Sequence, residues 1–144
     1  MRRQTIIEVI RSILVLVFIY AAATKLLSYS SFLAQLYISS FIRVIAPVIA
    51  TMLPLAEIAI AALLTVNRTR ILGMYSAAAI LLLFTGYITG MLIFRQELPC
   101  TCGGMISRLT WPQHIIFNLV LLSLAGVAIR LEKKNTVHYA TCNA

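Results

Sequence analysis

The fold is decided by the stretch "ILGMYSAAAILLLFTGYITGMLIF", residues Ile71–Phe94, which contains no charged side chain. A helix needs about 20 predominantly apolar residues to cross a bilayer. Three further stretches have the same character and few charges: Ile6–Leu27, Pro47–Val66 and Trp111–Leu131. The sequence therefore predicts an all-α integral membrane four-helix bundle, a single domain over residues 1–144 that ends in a polar, loose tail at 132–144.

The composition supports a membrane protein. Of 144 residues, 61% are hydrophobic and 11% are charged, whereas soluble domains carry about 25% charge. Twelve Lys and Arg against four Asp and Glu give a net charge of +8, and most of the basic residues flank the apolar stretches. Such residues are typical of anchors at the surface of membrane lipid. No nucleic-acid partner is predicted, because no basic face with interleaved aromatic residues lies outside these stretches.

The first apolar stretch also has some features of a cleaved signal peptide, since two arginines precede it. However, its apolar run is longer than the usual core of a signal peptide. No polar start of a mature chain follows Ala21–Ala23. We therefore expect a retained transmembrane helix.

The basic residues also predict the orientation. With the N-terminus in the cytoplasm, eight Lys and Arg lie on the cytoplasmic side and four lie on the other side, as the positive-inside rule requires. We expect a multi-pass protein of the cell inner (cytoplasmic) membrane with both termini cytoplasmic. The connection Ser28–Pro47 is amphipathic, which indicates either a short interfacial helix or an outward extension of the first or second span.

The outward connection before the fourth span, "RQELPCTCGGMISRLTWP" at Arg95–Pro112, contains Cys100 and Cys102. Disulfides persist outside the cytoplasm. A bridge between residues i and i+2 closes a very small ring, so it adds little stability, and strained bridges are the labile or catalytic ones. We interpret the pair as redox-active. Unreactive cysteines and half of a metal site stay open as alternatives, although no metal is predicted, since His114 is the only other outward ligand. Cys142, on the cytoplasmic tail, is not expected to take part.

Ionisable residues within a membrane are functional candidates. Glu57, near the middle of the second span, is interpreted as a proton carrier, a partner of Lys25 or a structural hydrogen-bonding group. It lies about 15 Å from the outer end of its span, so contact with Lys25 requires a vertical offset between the helices or a deeply placed lysine. His114, about one turn into the fourth span, is a candidate acid or base for the thiols or a structural residue. Asn118, on the same face, is expected to hydrogen-bond between helices.

Two long segments resemble a known superfamily. "YAAATKLLSYSSFLAQL" at Tyr20–Leu36 and "LPLAEIAIAALLTVNRTR" at Leu53–Arg70 are similar to the DoxX-like superfamily. Within it, "PCTCGG" at Pro99–Gly104, followed by Asn118, resembles the methylamine-utilisation protein MauE family. The resemblance extends from about Ile6 to Leu131.

This resemblance implies disulfide chemistry outside the cytoplasm alongside a thioredoxin-like partner. It implies that Cys100 and Cys102 are the redox pair and that Lys25 and Glu57 match charged positions of the family. Two positions depart from the family's pattern. Gly103 replaces the aromatic residue that usually follows the cysteines, and Phe117 replaces the arginine that often precedes the asparagine.

The sequence thus predicts a membrane thiol–disulfide redox protein that exchanges electrons with a thioredoxin-like protein or an extracytoplasmic client. It leaves open whether the protein is an enzyme, that is, a thiol-disulfide oxidoreductase. Three alternatives stay open: a non-catalytic assembly factor with incidental cysteines, a quinone-linked oxidase of the DsbB or vitamin K epoxide reductase type, and a transporter or proton channel built around Glu57. No resident cofactor is predicted, and a quinone is kept as a candidate electron partner.

Overall fold

The computed structural model describes residues 2–38, 42–93 and 111–142. Its elements are α1 (Arg2–Leu27), α2 (Tyr29–Ile38), a 3₁₀ turn (Arg43–Ile45), α3 (Ala46–Thr65), α4 (Arg70–Ile93) and α5 (Trp111–Cys142). Four segments are long and apolar enough to cross a membrane: Arg3–Leu27, Arg43–Thr65, Arg70–Gly90 and Gln113–Lys133. No strand occurs among the described residues. The predicted all-α fold with four spans is confirmed.

Hydroxyl side chains inside the spans are satisfied by their own helices. Thr85 donates to the carbonyl oxygen of Leu81 at 2.7 Å, and Ser123 donates to that of Leu119 at 2.8 Å. Because hydrocarbon offers no hydrogen-bond partners, backbone and side-chain polar groups must be paired internally. These local bonds let Ser and Thr occupy apolar helices without help from another helix.

The main core lies between the four long helices. Buried residues recur at helical spacing along the inner face of α1, and the other helices contribute core residues of similar or smaller size. Its buried members are Ile7, Ile10, Leu14, Phe18, Ile60, Ala61, Leu64, Met74, Ala77, Leu81, Leu121, Ala125 and Ala128. Alanines on α3, α4 and α5 allow these helices to approach closely where α1 supplies the larger side chains.

A glycine sets the closest approach of α3 and α4. A Cβ atom at Gly73 would lie 2.8 Å from the backbone nitrogen of Leu64. The small-x-x-x-small pattern of Gly86 and Gly90 also predicts close packing, but a Cβ at either position would meet no described atom within 4 Å. The close helix contact is therefore at Gly73, beside the short turn that joins the two helices, and the prediction for Gly86 and Gly90 is wrong for the described residues.

A separate short helix follows the first span. Only Ser28 separates α1 from α2, and hydrogen bonds cross this junction from Ser28 to Thr24 at 3.1 Å and from Phe32 to Ser28 at 2.9 Å. Phe32 and Leu36 of α2 are buried in a second cluster with Ala46 and Ala50 of α3. The connection therefore contains a distinct short helix packed on the start of α3, and it is not an extension of the first or second span.

The polar tail differs from expectation. We expected loose chain from Glu132 onward, but α5 continues to Cys142. No glycine or proline interrupts this segment, and residues of those two types are the strongest helix breakers. Glu132 is buried and forms an ion pair with Arg70 at the start of α4. This pair fixes the point at which α5 leaves the apolar core.

Arg11 fastens the same end of the bundle. Its guanidinium donates to the side-chain oxygen of Asn67 at 3.1 Å and to the carbonyl oxygen of Thr65 at 3.5 Å. It also pairs with Glu8 at 3.1 Å. These contacts hold the turn between α3 and α4 against α1. The candidate site lies toward the opposite end of the bundle.

Candidate functional site

The centre of the site is an ion pair between α1 and α3. Lys25 Nζ lies 2.7 Å from Glu57 Oε1, and the two side chains are 13% and 10% exposed. Lys25 Nζ also donates to the carbonyl oxygen of Ala21 at 3.3 Å. Charge-assisted hydrogen bonds at this distance are the strong ones, because ionised donors and acceptors attract each other most in apolar surroundings. Of the three interpretations of Glu57 from the sequence, the structure supports the one in which Glu57 is the partner of Lys25.

The ends of the helices explain how this contact forms. Lys25 lies two residues before the end of α1, whereas Glu57 lies 11 residues after the start of α3. At 1.5 Å per residue, about 16 Å of α3 therefore lies between its first residue and Glu57. The helices are offset along their axes, as a direct contact required. The short helix α2 packs against the part of α3 that extends past the end of α1.

The helix α5 brings His114 and Asn118 to the same place. Both residues are buried, with exposures of 7% and 4%. The ring of His114 lies with its centroid 5.7 Å from that of Phe84 on α4, at an interplanar angle of 50°. Since His114 and Asn118 are four residues apart, they lie on one face of α5 and both face the bundle interior.

All four of these predicted supporting residues line one cavity. Its walls also contain apolar residues from α1 to α5. The complete lining is Val17, Phe18, Tyr20, Ala21, Thr24, Lys25, Phe32, Leu53, Glu57, Ile80, Leu81, Phe84, His114, Phe117, Asn118 and Leu121. The structure thus joins Lys25, Glu57, His114 and Asn118, which the sequence identified singly, into one polar group inside an apolar space.

Four phenylalanines line this cavity that were not identified as site residues from the sequence. Phe18, Phe32, Phe84 and Phe117 come from four different helices. The ring of Phe32 has Lys25 Nζ at 6.0 Å from its centroid, which is at the outer limit of a cation–π contact. For Phe117 alone the sequence contains a signal that could have placed it in the site. Phe117 and Leu121 recur with His114 and Asn118 at helical spacing, which puts them on one face of α5.

The cysteine pair lies outside the described residues. The chain passes through Cys100 and Cys102 and is described again from Trp111, three residues before His114. Pro112 is the second residue of α5, in the first helical turn, where proline is favoured. Cys142 is the last residue of α5, and its side chain is also outside the described part. Within the described ranges, no group of three or more His, Cys, Asp or Glu side chains is placed to hold a metal ion.

The chain matches the model of a known protein family. The model of the methylamine utilisation protein MauE family matches residues 3–131. No curated protein and no solved structure matches the chain. The matched range contains the four membrane spans, the residues of the cavity and the cysteine pair, apart from the last two residues of the fourth span. This multi-pass membrane protein therefore belongs to the MauE family.

Proposed function

We propose that this protein is a thiol–disulfide exchange protein of the inner membrane that uses Cys100 and Cys102 outside the cytoplasm. The observation that carries the proposal is the C-x-C pair in the segment between α4 and α5, within a chain of the MauE family. The family name refers to methylamine utilisation. We propose that a client or partner protein of such a process supplies the disulfide that exchanges with Cys100 and Cys102. The resemblance of residues 20–36 and 53–70 further supports placing the chain in the DoxX-like superfamily.

The exchange needs no further reactant. The thiolate of Cys100 attacks a disulfide of a thioredoxin-like partner or client, forms a mixed disulfide and displaces one partner thiolate. The thiolate of Cys102 then attacks the sulfur of Cys100 and releases the second partner thiolate. Two electrons pass to the partner, and the Cys100–Cys102 bridge forms. The same steps in reverse oxidise a partner dithiol, so one mechanism serves both directions.

The orientation predicted from the basic residues supports this chemistry. The excess of basic residues on one side predicts cytoplasmic termini and an outward connection at Arg95–Pro112. Disulfides survive outside the cytoplasm, where glutathione and thioredoxin do not reduce them. The candidate site lies toward the same end of the bundle, since His114 is three residues after the start of α5. We therefore propose that the buried polar group supports the thiol pair.

Trapping of the mixed disulfide tests the proposal. In Cys102→Ser the resolving thiol is absent, so we expect a covalent complex between Cys100 and its partner to accumulate after acid quenching. On a non-reducing gel this complex should be at least tenfold more abundant than in wild type, and it should disappear with reductant. Cys142→Ser is the matched control, because it removes the remaining cysteine of the chain, and it should behave like wild type.

The assembly-factor alternative predicts a different result. If the cysteines are incidental, Cys100→Ser/Cys102→Ser should support maturation of the client as well as wild type, and neither single variant should trap a partner. That pair of results would overturn the redox proposal. Loss of maturation together with trapping in Cys102→Ser would support it.

A further inference from the structure

The cavity of the candidate site is large enough for part of a ligand. Its volume is about 90 Å³. A water molecule needs about 10–15 Å³, and an engineered apolar cavity of about 150 Å³ takes up a whole benzene ring. The space therefore admits one edge of a ring or a small polar head. Tyr20, which is 38% exposed, also lines it, so one wall of the cavity is a side chain that is partly exposed on the surface of the bundle.

Two buried polar atoms at this cavity have no hydrogen-bond partner among the described residues. They are Glu57 Oε2 and Asn118 Nδ2, and their residues are 7% and 4% exposed. A buried polar atom without a partner loses its hydrogen bond to water and gains none in return, so such atoms indicate a missing partner. Asn118 Nδ2 requires an acceptor, and the Glu57 carboxylate oxygen requires a donor.

The remainder of the cavity restricts the ligand further. Lys25 already neutralises Glu57 at 2.7 Å, so a second charge would enter an apolar space without compensation. Phe18, Phe84 and Phe117 present aromatic rings, which pack favourably against another flat ring. A suitable ligand is neutral and lipid-soluble, has a planar ring, and carries oxygen that either accepts or donates a hydrogen bond.

We propose that the cavity binds the ring edge of a lipid-soluble quinone. In the oxidised form a carbonyl oxygen accepts a hydrogen bond from Asn118 Nδ2. In the reduced form a hydroxyl group donates to Glu57 Oε2. The remaining part of the ring and its tail extend past Tyr20 into lipid, because the cavity is smaller than a whole substituted ring.

This inference rests on the proposed function, because a thiol pair that turns over needs a two-electron partner. When the Cys100–Cys102 dithiol is oxidised, a sulfur–sulfur bond forms and two electrons and two protons leave the thiols. The quinone takes up both electrons and both protons, and its two carbonyl groups become the hydroxyl groups of a quinol. The quinone is thus the oxidant, and the bridge it leaves is the species that oxidises a client.

Binding can be measured on the purified full-length protein in detergent. Trp111 is the single tryptophan of the chain, and decylubiquinone serves as the probe. We expect saturable quenching of its fluorescence in wild type. Asn118→Leu, which removes the donor and leaves the ion pair intact, should weaken the affinity at least tenfold. Glu57→Gln should weaken competition by decylubiquinol at least tenfold.

Two variants serve as controls. Ser123→Ala, on the same helix, removes an exposed hydroxyl that donates to the carbonyl oxygen of Leu119 in its own helix, and it should bind like wild type. Cys100→Ser/Cys102→Ser should also bind like wild type, because no cysteine is among the described residues that line the cavity. This second control separates the two proposals, since quinone binding can fail while partner trapping succeeds, and the reverse.

Two outcomes would overturn the inference. Quenching that rises linearly with the probe and is equal in Asn118→Leu would show partition into detergent alone. Saturable binding unaffected by Asn118→Leu would place the quinone elsewhere. If Asn118→Leu does not fold, Leu121→Phe provides the second route, because it enlarges a buried cavity-lining side chain. It should reduce the affinity at least tenfold, and unchanged binding in this variant would equally overturn the inference.

Discussion

At the scale of single residues, the pair of Lys25 and Glu57 is the feature with the largest energetic consequences. Each charge alone would be costly inside the bundle, and each is kept there by the other at 2.7 Å. Replacing both members of a buried pair by apolar residues is often neutral, whereas removing one member leaves an uncompensated charge. The pair therefore says little about the net stability of the fold, but it indicates that each of the two charges depends on the other.

The first prediction concerns this interdependence. Lys25→Met should lower the free energy of unfolding by about 3–5 kcal/mol, because it leaves the Glu57 carboxylate unpaired. Lys25→Met/Glu57→Met should recover most of that loss. Unfolding in mixed detergent, followed by circular dichroism, measures both. Glu8→Gln is the control, since the side chain of Glu8 is 50% exposed and its pair with Arg11 should contribute about 0–1 kcal/mol. A double variant as unstable as the single one would contradict the prediction.

At the scale of helices, the approach of α3 to α4 depends on one glycine. The nearest atoms to a Cβ at Gly73 belong to the backbone of Leu64 at 2.8 Å and of Leu63 at 3.0 Å. Backbone atoms cannot move aside as the end of a flexible side chain can. At Gly86 a Cβ would meet no described atom within 4 Å, so the two glycines of α4 differ in what they permit.

The second prediction compares these two glycines. Gly73→Ala should destabilise the protein by about 1–3 kcal/mol, because the added methyl group forces the helices apart. Gly86→Ala should be neutral or should stabilise by about 0.5–1 kcal/mol, since alanine favours a helix more than glycine does. The same unfolding assay decides between them. Equal stability of the two variants would show that α3 and α4 do not approach as closely at Gly73 as the structure indicates.

At the scale of the whole molecule, the two ends of the bundle differ. One end is fastened by Arg11 to Asn67 and by Arg70 to Glu132. Toward the other end, α1 stops soon after Lys25, and α5 begins shortly before His114, while α3 extends further. The buried polar group and its cavity lie toward this second end. We proposed above that this end faces away from the cytoplasm.

The third prediction tests that orientation. Variants that keep only Cys100, only Cys102 or only Cys142 should be treated with a membrane-impermeant maleimide on intact cells. We expect Cys100 and Cys102 to react from outside. Cys142 should react only after the membrane is permeabilised. Labelling of all three on permeabilised membranes is the control for reactivity. Reaction of Cys142 on intact cells, with protection of the other two, would reverse the orientation and remove the oxidising environment that the proposed function requires.

Hydropathy was sufficient to predict the number and approximate limits of the spans. A run of about 20 apolar residues has few alternatives to a membrane helix, because its backbone must be paired internally. The same cost identified Lys25, Glu57, His114 and Asn118 one at a time, since polar groups in apolar segments are expensive wherever they pack. The membrane helices and the candidates for the site were therefore determined by the sequence itself.

The tertiary structure alone decided how these residues meet. The contact of Lys25 with Glu57 depends on the offset between α1 and α3, which is set by how side chains of the two helices and of α2 pack, and hydropathy contains no information on that offset. The pairing of buried Glu132 with Arg70 likewise depends on how α5 packs beside the start of α4. Local sequence fixes which segments form helices, whereas their relative positions follow from contacts between residues distant in the chain.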